Sequence, residues 1–530
     1  MARSFDYIIV GAGSAGCVIA EGLSASHSVL LIEAGKGDRS LNIAIPAAFA
    51  KNFKTKRDWG FESEPEMSAA GRRLFLPRGK VLGGSSSINA MIYIRGRPSD
   101  YDRWQSLGAS GWGWDSVFPV FRAMESNQRF EDEFHGSDGP VRVEDLRSPN
   151  TYTRRFIEAA LDAGFTANSD FNGVTQEGVG YFQVTQNRGR RWSAANAFLH
   201  AAMTRPTLAV STDSHCLSVI IEAGRAIGVE YITEAGIERV YADSEVIVAA
   251  GAFGSPQILQ LSGIGDPEHL VEIAVEPIVE SRHVGLHMQD HAIIGVIQRS
   301  LADGTLDDAE SIRHLLKWLV LRRGPLTSNV AEAGAFVRSN GSLAEPDLEF
   351  HFGPVFFDNH GMTPLEGHAY SLGSLLMHPS SEGTVMAASN DHRKAPRIVG
   401  NYLSEPADVD ALVSGVRKAR DIFAGSPFDD VRGEEMLPGS QATSDDDLRR
   451  FVHDRFELLY HPVGTCRIGG SANGVVSPGL NVHGVIGLRV ADASVMPATI
   501  SGNTNAASMM IGSRAVDLIL GRAPAPSSDV

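Results

Sequence analysis

Two short segments near the C-terminal end hold residue types that can take a proton from a hydroxyl. Tyr460, His461 and Pro462 begin a run ending at Cys466, and Asn503 and Asn505 stand in a Gly-Asn-Thr-Asn loop. A histidine held ahead of a proline offers a base near neutral pH, and an asparagine from a second loop can orient what the base acts on. A lone loop histidine is more often a polar surface residue. The pair therefore specifies a reaction only if a reactive partner lies beside it.

The N-terminal end supplies such a partner. Gly11, Gly13 and Gly16 follow an apolar run at 7–10 and precede a helical stretch at 17–23; a second apolar run at 29–32 ends in Glu33. Gly11 permits the tight turn, Gly13 lets the backbone approach a pyrophosphate, and Gly16 lets helix and strand pack closely. The helix N-terminus presents free N–H groups to an anion. Glu33 can accept ribose hydroxyls and disfavours a 2′-phosphate, which argues against NADP. This spacing specifies a dinucleotide and leaves FAD and NAD open.

Two further glycine-rich segments lie at 78–89 and 251–265. The first carries paired glycines, three serines and Asn89, a loop able to lie against a flat ring or a phosphate. The second follows an apolar run at 246–249 and reads as a short helix and a turn. Each, taken alone, is equally or better explained as a structural turn.

The elements that must position these residues are ordinary for a globular protein. The 530 residues exceed one core, at about 150 residues per domain. The net charge of −16 excludes general affinity for nucleic acid and disfavours anionic membranes. Cys17, Cys216 and Cys466 are too scattered for a zinc site or a disulfide framework, so no metal is expected. No secretory signal is read at the N-terminus, and no apolar stretch reaches the about 18 residues of a spanning helix. This points to a cytoplasmic protein, with peripheral contact to the inner membrane left open. Buried strands are expected at 7–10, 29–32 and 246–249, helices at 150–164, 408–423 and 446–456, and a disordered tail at 523–530. No fixed-period repeat and no low-complexity linker divides the chain.

Together, the segments at 11–16, 78–104, 251–265, 460–466 and 502–505 resemble the glucose–methanol–choline (GMC) family of FAD-dependent oxidoreductases, nearly end to end. The resemblance implies an α/β fold: a Rossmann-like FAD-binding domain (1–150, 186–291, 458–530) interleaved with an α+β substrate-binding domain (151–185, 292–457) built on an antiparallel sheet flanked by helices. It implies FAD contacts from Gly11, Gly13, Ser14, Ala15, Gly16, Glu33, Ala34, Arg78, Val81, Gly83, Gly84, Ser85, Asn89, Ala90, Met91, Cys216, Ala250, Asp492, Ala493, Asn503, Asn505 and Ala506. Cys216 would lie at the adenine, Asn505 and Ala506 at the pyrimidine edge of the flavin. Ile88 stands where choline oxidase carries a flavin-linked histidine, so FAD is expected to be non-covalent.

By the same resemblance, His461 is the base that removes a primary alcohol's hydroxyl proton while its hydride passes to flavin N5, and Asn503 orients the oxygen. Glu332, His351 and Tyr460 are expected at the substrate pocket; for Glu332 and His351 a structural role stays open. Trp318, Phe352, Phe356 and Phe357 suggest an apolar cavity, or simply core. The motifs at 460–466 and 502–505 look like the bacterial alcohol and polyethylene glycol dehydrogenases, with choline dehydrogenases as neighbours. Electrons would go to a quinone or artificial acceptor; the alternative is an oxidase that reduces dioxygen to hydrogen peroxide. A hydroxynitrile lyase and a non-catalytic flavin binder are remoter readings, the latter opposed by the presence of both His461 and Asn503.

Overall fold

A computed structural model describes residues 3–522. The tail at 523–530 lies outside them.

The chain begins with β1 (Ser4–Val10), α1 (Ser14–Leu23) and β2 (Val29–Ile32). Val29 to Ile32 are all buried, as a parallel strand covered on both faces requires. After a long excursion come α2 (Thr151–Asp162) and β3 (Gly178–Tyr181). Four strands follow: β4 (Leu208–Ser211), β5 (His215–Glu222), β6 (Arg225–Thr233) and β7 (Gly236–Val248). β7 was expected only at 246–249. Its outer half is longer because it hairpins with β6, alternating exposed and covered residues rather than forming an apolar run. Then come α3 (Gly251–Leu261), β8 (Ala292–Ser300), α4 (Ile312–Leu321), β9 (Ala333–Val337), β10 (Leu348–Gly353) and β11 (His368–Leu376). The chain continues with α5 (Pro406–Phe423), β12 (Arg432–Leu437), α6 (Asp445–Arg455), β13 (Glu457–Leu458), β14 (Leu488–Val490) and α7 (Asn505–Ile519).

Among the described residues these strands form two seven-stranded sheets. The first runs β4-β2-β1-β7-β6-β5, with β14 also paired to β7. Its β4, β2, β1, β7 and β14 are parallel, and α1 makes the crossover between β1 and β2. The second, β12-β8-β11-β10-β9-β3 with β13 on β8, is antiparallel throughout. Each sheet draws on non-contiguous stretches, and we propose two interleaved units with the boundaries expected above.

The second sheet positions the site through its period of two. On β8, Ala292, Ile294 and Val296 join the core cluster shared with Leu412, Val416 and Ala419 of α5, while Ile293, Gly295 and Ile297 face a cavity. On β10, Phe350 and Phe352 go to the core, and His351 and Gly353 to the cavity. On β11, Tyr370 and Leu372 alternate with Ser371 and Gly373 in the same way. The sheet is thus a wall between a helix-covered core and the candidate site.

Candidate functional site

The turn after β1 depends on its glycines. Gly11 has φ +103°, and a Cβ there would sit 2.5 Å from the Ala249 carbonyl oxygen. A Cβ on Gly16 would meet the Gly11 oxygen at 1.9 Å, so only glycine allows α1 to start this close to β1. α1 begins without a side-chain cap, leaving its first N–H groups facing the cavity. Glu33, at the end of β2, accepts the Ala12 N–H at 2.9 Å and the Gly35 N–H at 2.8 Å. Burial pushes its carboxyl up to about 7 against those two hydrogen bonds and Lys80. Asp492 spans two elements: its carboxylate accepts from the Gly251 N–H and the Ser255 hydroxyl of α3 and from the Ser494 N–H.

One cavity of about 350 Å³ runs from Ser214–Cys216 and Glu33, past Gly11–Ala15 and Gly84–Met91, to His461 and Asn503. It has the elongated lining that a flavin dinucleotide requires: an uncapped helix start for the pyrophosphate, an acid for a ribose, and glycine backbone along the middle. The residues present fit FAD.

At its far end, His461 is held by three groups. Its backbone N–H donates to Asp290 Oδ1 at 2.7 Å. Its Nδ1 lies 3.0 Å from Nδ1 of His291, and its Nε2 3.2 Å from Nδ2 of Asn503. With the amide nitrogen donating to Nε2, His461 carries its proton on Nδ1 and donates it in a hydrogen bond to Nδ1 of His291. Burial, then His291, His351 and Arg78, hold the His461 imidazole well below the usual histidine range. The His291 imidazole is pushed down to about 3, chiefly by burial and then by His378. Both pKa values lie below the usual histidine range, so both rings are neutral near pH 7, and the Nε2 lone pair points toward the cavity, where it accepts from Asn503. Asp290 Oδ1 also takes the His291 N–H at 2.8 Å, while Oδ2 has no partner. Tyr460 has φ +68°, an unusual conformation for an aromatic residue, secured by Arg78 donating to its carbonyl at 2.5 Å. Oδ1 of Asn503 is buried without a partner.

Phe49, Phe53, Ile293, Val330 and Phe357 give this end an apolar wall. Two carboxylates reach it and both are tied: Asp358 to Arg455 at 3.4 Å, Glu457 to His360. His351 faces the cavity with its Nε2 held by Glu349 at 2.8 Å.

Most expected residues line this cavity, but five do not. Glu332, adjacent to the lining residue Ala331, points the opposite way along extended chain. It accepts from the hydroxyls of Ser328 and Thr153, each at 2.6 Å, and from the Asn150 N–H at 2.7 Å, anchoring the start of α2. It does not line the cavity. Gly16 is taken up by helix–strand packing, Val81 and Ala506 by core, and Gly83 by a hydrogen bond to the Ala12 carbonyl. Among the aromatic candidates Phe357 lines the cavity. Trp318 and Phe352 are core, and Phe356 lies outside the lining. Conversely, Asp290 and His291 were not anticipated. An Asp-His pair before an apolar strand has no spacing signal that separates it from a surface loop.

The GMC oxidoreductase family models match residues 5–293 and 379–512. The chain is 41% identical to the alcohol dehydrogenase [acceptor] of Pseudomonas putida, over 99% of this chain and 97% of the relative. It is also 41% identical to an oxygen-dependent choline dehydrogenase of Rhizobium rhizogenes, over 98% and 96%. Among solved structures, pyridoxine 4-oxidase from Mesorbium loti superposes with TM-score 0.90 at 29% identity, over 98% of this chain and 99% of that one. An Aspergillus oryzae formate oxidase superposes with TM-score 0.92 at 27% identity, over 98% of both.

Proposed function

Given that the chain belongs to the GMC oxidoreductases, as a flavin oxidoreductase acting on alcohols, we propose that it oxidises an uncharged primary alcohol to an aldehyde and passes the electrons to a quinone or artificial acceptor. The observation that carries this reading is His461 Nε2 set 3.2 Å from the Asn503 amide, at the apolar end of the dinucleotide cavity.

Bound FAD supplies the hydride acceptor. Gly13, Ser14 and Ala15 would hold its pyrophosphate at the start of α1, Glu33 its ribose and Ser214–Cys216 its adenine. Ile88 offers only an alkyl chain, so attachment is non-covalent; acid precipitation should leave the flavin in the supernatant.

An alcohol oxygen seated between His461 and Asn503 would give its proton to Nε2 and accept from Nδ2–H as charge develops on it. The proton already on Nδ1 is hydrogen-bonded to His291, which keeps Nε2 the unprotonated nitrogen, and the incoming oxygen takes over the Asn503 N–H that Nε2 accepts in its absence. Phe49, Phe53 and Phe357 exclude water from the reacting carbon and favour an apolar substituent. Choline is a weaker fit, because Glu332 faces away and the lining carboxylates are engaged.

The test is anaerobic mixing of holoenzyme with a panel of aliphatic, benzylic and furanic alcohols and choline. Bleaching of the flavin by uncharged primary alcohols is expected, and bleaching by none of them would overturn the reading. Turnover in air with a dye or quinone should far exceed turnover with dioxygen alone. Peroxide formed at the full rate would reassign the acceptor to dioxygen.

A further inference from the structure

We propose that α4 and the arginines at its C-terminal end form a surface that docks on an anionic lipid bilayer. The helix presents an unburied apolar stripe. Ile312, Leu316, Leu319 and Val320 are 73%, 55%, 42% and 77% exposed and share one face at helical spacing; Leu321 beside them is 57% exposed. Trp318 alone is fully buried. It packs with Ile45, Ala48 and Leu326, and its indole N–H donates to the Gly189 carbonyl at 2.8 Å. Trp318, with half-buried Leu315 beside it, anchors the helix, while the face carrying Ile312, Leu316, Leu319 and Val320 is left to solvent. On a soluble protein such a face marks an interaction site.

The charge around the stripe identifies the partner. No acidic residue occurs from 311 to 331, which contains Arg313, Lys317, Arg322 and Arg323. The turn at Gly189 brings in more: a Cβ there would lie 2.8 Å from the Arg322 oxygen and 3.1 Å from the Arg147 side chain, and exposed Arg188 and Arg190 flank it. The Arg322 guanidinium covers the Trp318 ring at 4.0 Å. Nearby acids are occupied or lie at the other end. Glu144 accepts the Arg188 N–H, and Glu310, ahead of the helix, pairs with Lys51 at 2.6 Å. The net charge of −16 opposes anionic membranes over the surface as a whole, but this basic cluster beside bare leucines is locally complementary to lipid acyl chains under anionic headgroups.

The placement suits a membrane-derived reactant. Val330 packs in the Trp318 cluster and also lines the cavity. The segment carrying Ala48 beneath the helix turns Phe49 and Phe53 into the apolar end. A docked enzyme would hold its substrate end close to the bilayer.

The test is flotation of holoenzyme with vesicles of phosphatidylcholine alone, and with one third phosphatidylglycerol. Salt-sensitive binding to the second only is expected. Leu316→Glu with Val320→Glu should abolish it. Arg322→Ala with Arg323→Ala should weaken it by roughly fivefold per lost cation. Both double variants should keep their flavin and their dye-linked turnover of a water-soluble alcohol. Three outcomes would overturn the proposal: no flotation with anionic vesicles, undiminished flotation of the Glu variant, or a wild-type dimer that this variant dissociates, which would make a second copy the occupant.

Discussion

His461 and His291, 170 residues apart in sequence, face each other through their Nδ1 atoms at 3.0 Å, both neutral. One nitrogen must donate and the other accept. Because Asn503 meets Nε2 of His461, the proton rests on Nδ1. Asn503 therefore selects the tautomer of the proposed base, and His291 supplies the acceptor that its Nδ1 proton needs, without lining the cavity.

His461→Ala is expected to lower kcat/KM by about 10²–10⁴-fold while leaving the flavin spectrum intact. His291→Ala should cost less and His291→Asn least, since the Asn oxygen can still accept the Nδ1 proton. Full activity in His291→Ala would remove it as a positioning residue.

The pH profile tests the same pair. A base must be deprotonated to act, and burial depresses the His461 pKa. The acid limb of kcat/KM should therefore fall below the usual histidine range, with no loss of rate as pH drops from 8 to about 6.5. A limb centred in that interval and absent from His461→Gln would contradict it.

Gly295 on β8 faces the cavity, and a Cβ built on it meets nothing within 4 Å. Gly295→Val should fold normally, since valine favours a strand, and should fill cavity space. Steady-state kinetics are expected to show about tenfold loss in kcat/KM for bulky alcohols and less for short ones, in the range of one or two methylenes of fit. Equal loss for all chain lengths would place Gly295 outside the substrate volume.

Glu332 accepts three hydrogen bonds at the start of α2. Glu332→Ala strands two hydroxyls and an N–H, at a cost of about 2–4 kcal/mol. A lower melting temperature with unchanged KM is the expected result. A raised KM at unchanged stability would return Glu332 to the substrate pocket.

A buried network outside the cavity lining sets a pH dependence of stability. His135 lies 3.2 Å from Glu125 and 3.0 Å from Asp170, and Glu125 also pairs with Arg95. Burial opposes the imidazolium, but hydrogen bonds to Asp170 and Glu125 outweigh it and raise the pKa to about 9. A folded pKa above the unfolded value of about 6.5 gives stability that is complete below that pH and lost as pH rises through about 9. The melting temperature should fall across this window by the equivalent of about 1–3 kcal/mol, and His135→Gln should flatten the slope.

Features coded by neighbouring residues were legible in the sequence. Gly11 and Gly16 act on a strand and helix within a dozen residues, so their spacing alone specified the dinucleotide turn. The helix expected at 408–423 appears as Pro406–Phe423, because its apolar period is read along a single element. Residue type and spacing also brought His461 and Asn503 forward as candidates. Which way a side chain points, and what lies opposite it, depended on sheet register and long-range packing. Extended chain turns Ala331 to the cavity and Glu332 to α2, a choice that one residue of register would reverse. Phe352 and Trp318 met helices and core rather than ligand space. The contact of His461 with His291 exists because β8 and β13 pair antiparallel, bringing the ends of two distant segments together. Local chemistry follows from sequence order; the protonation state of the proposed base follows from burial and from a partner that only the folded chain supplies.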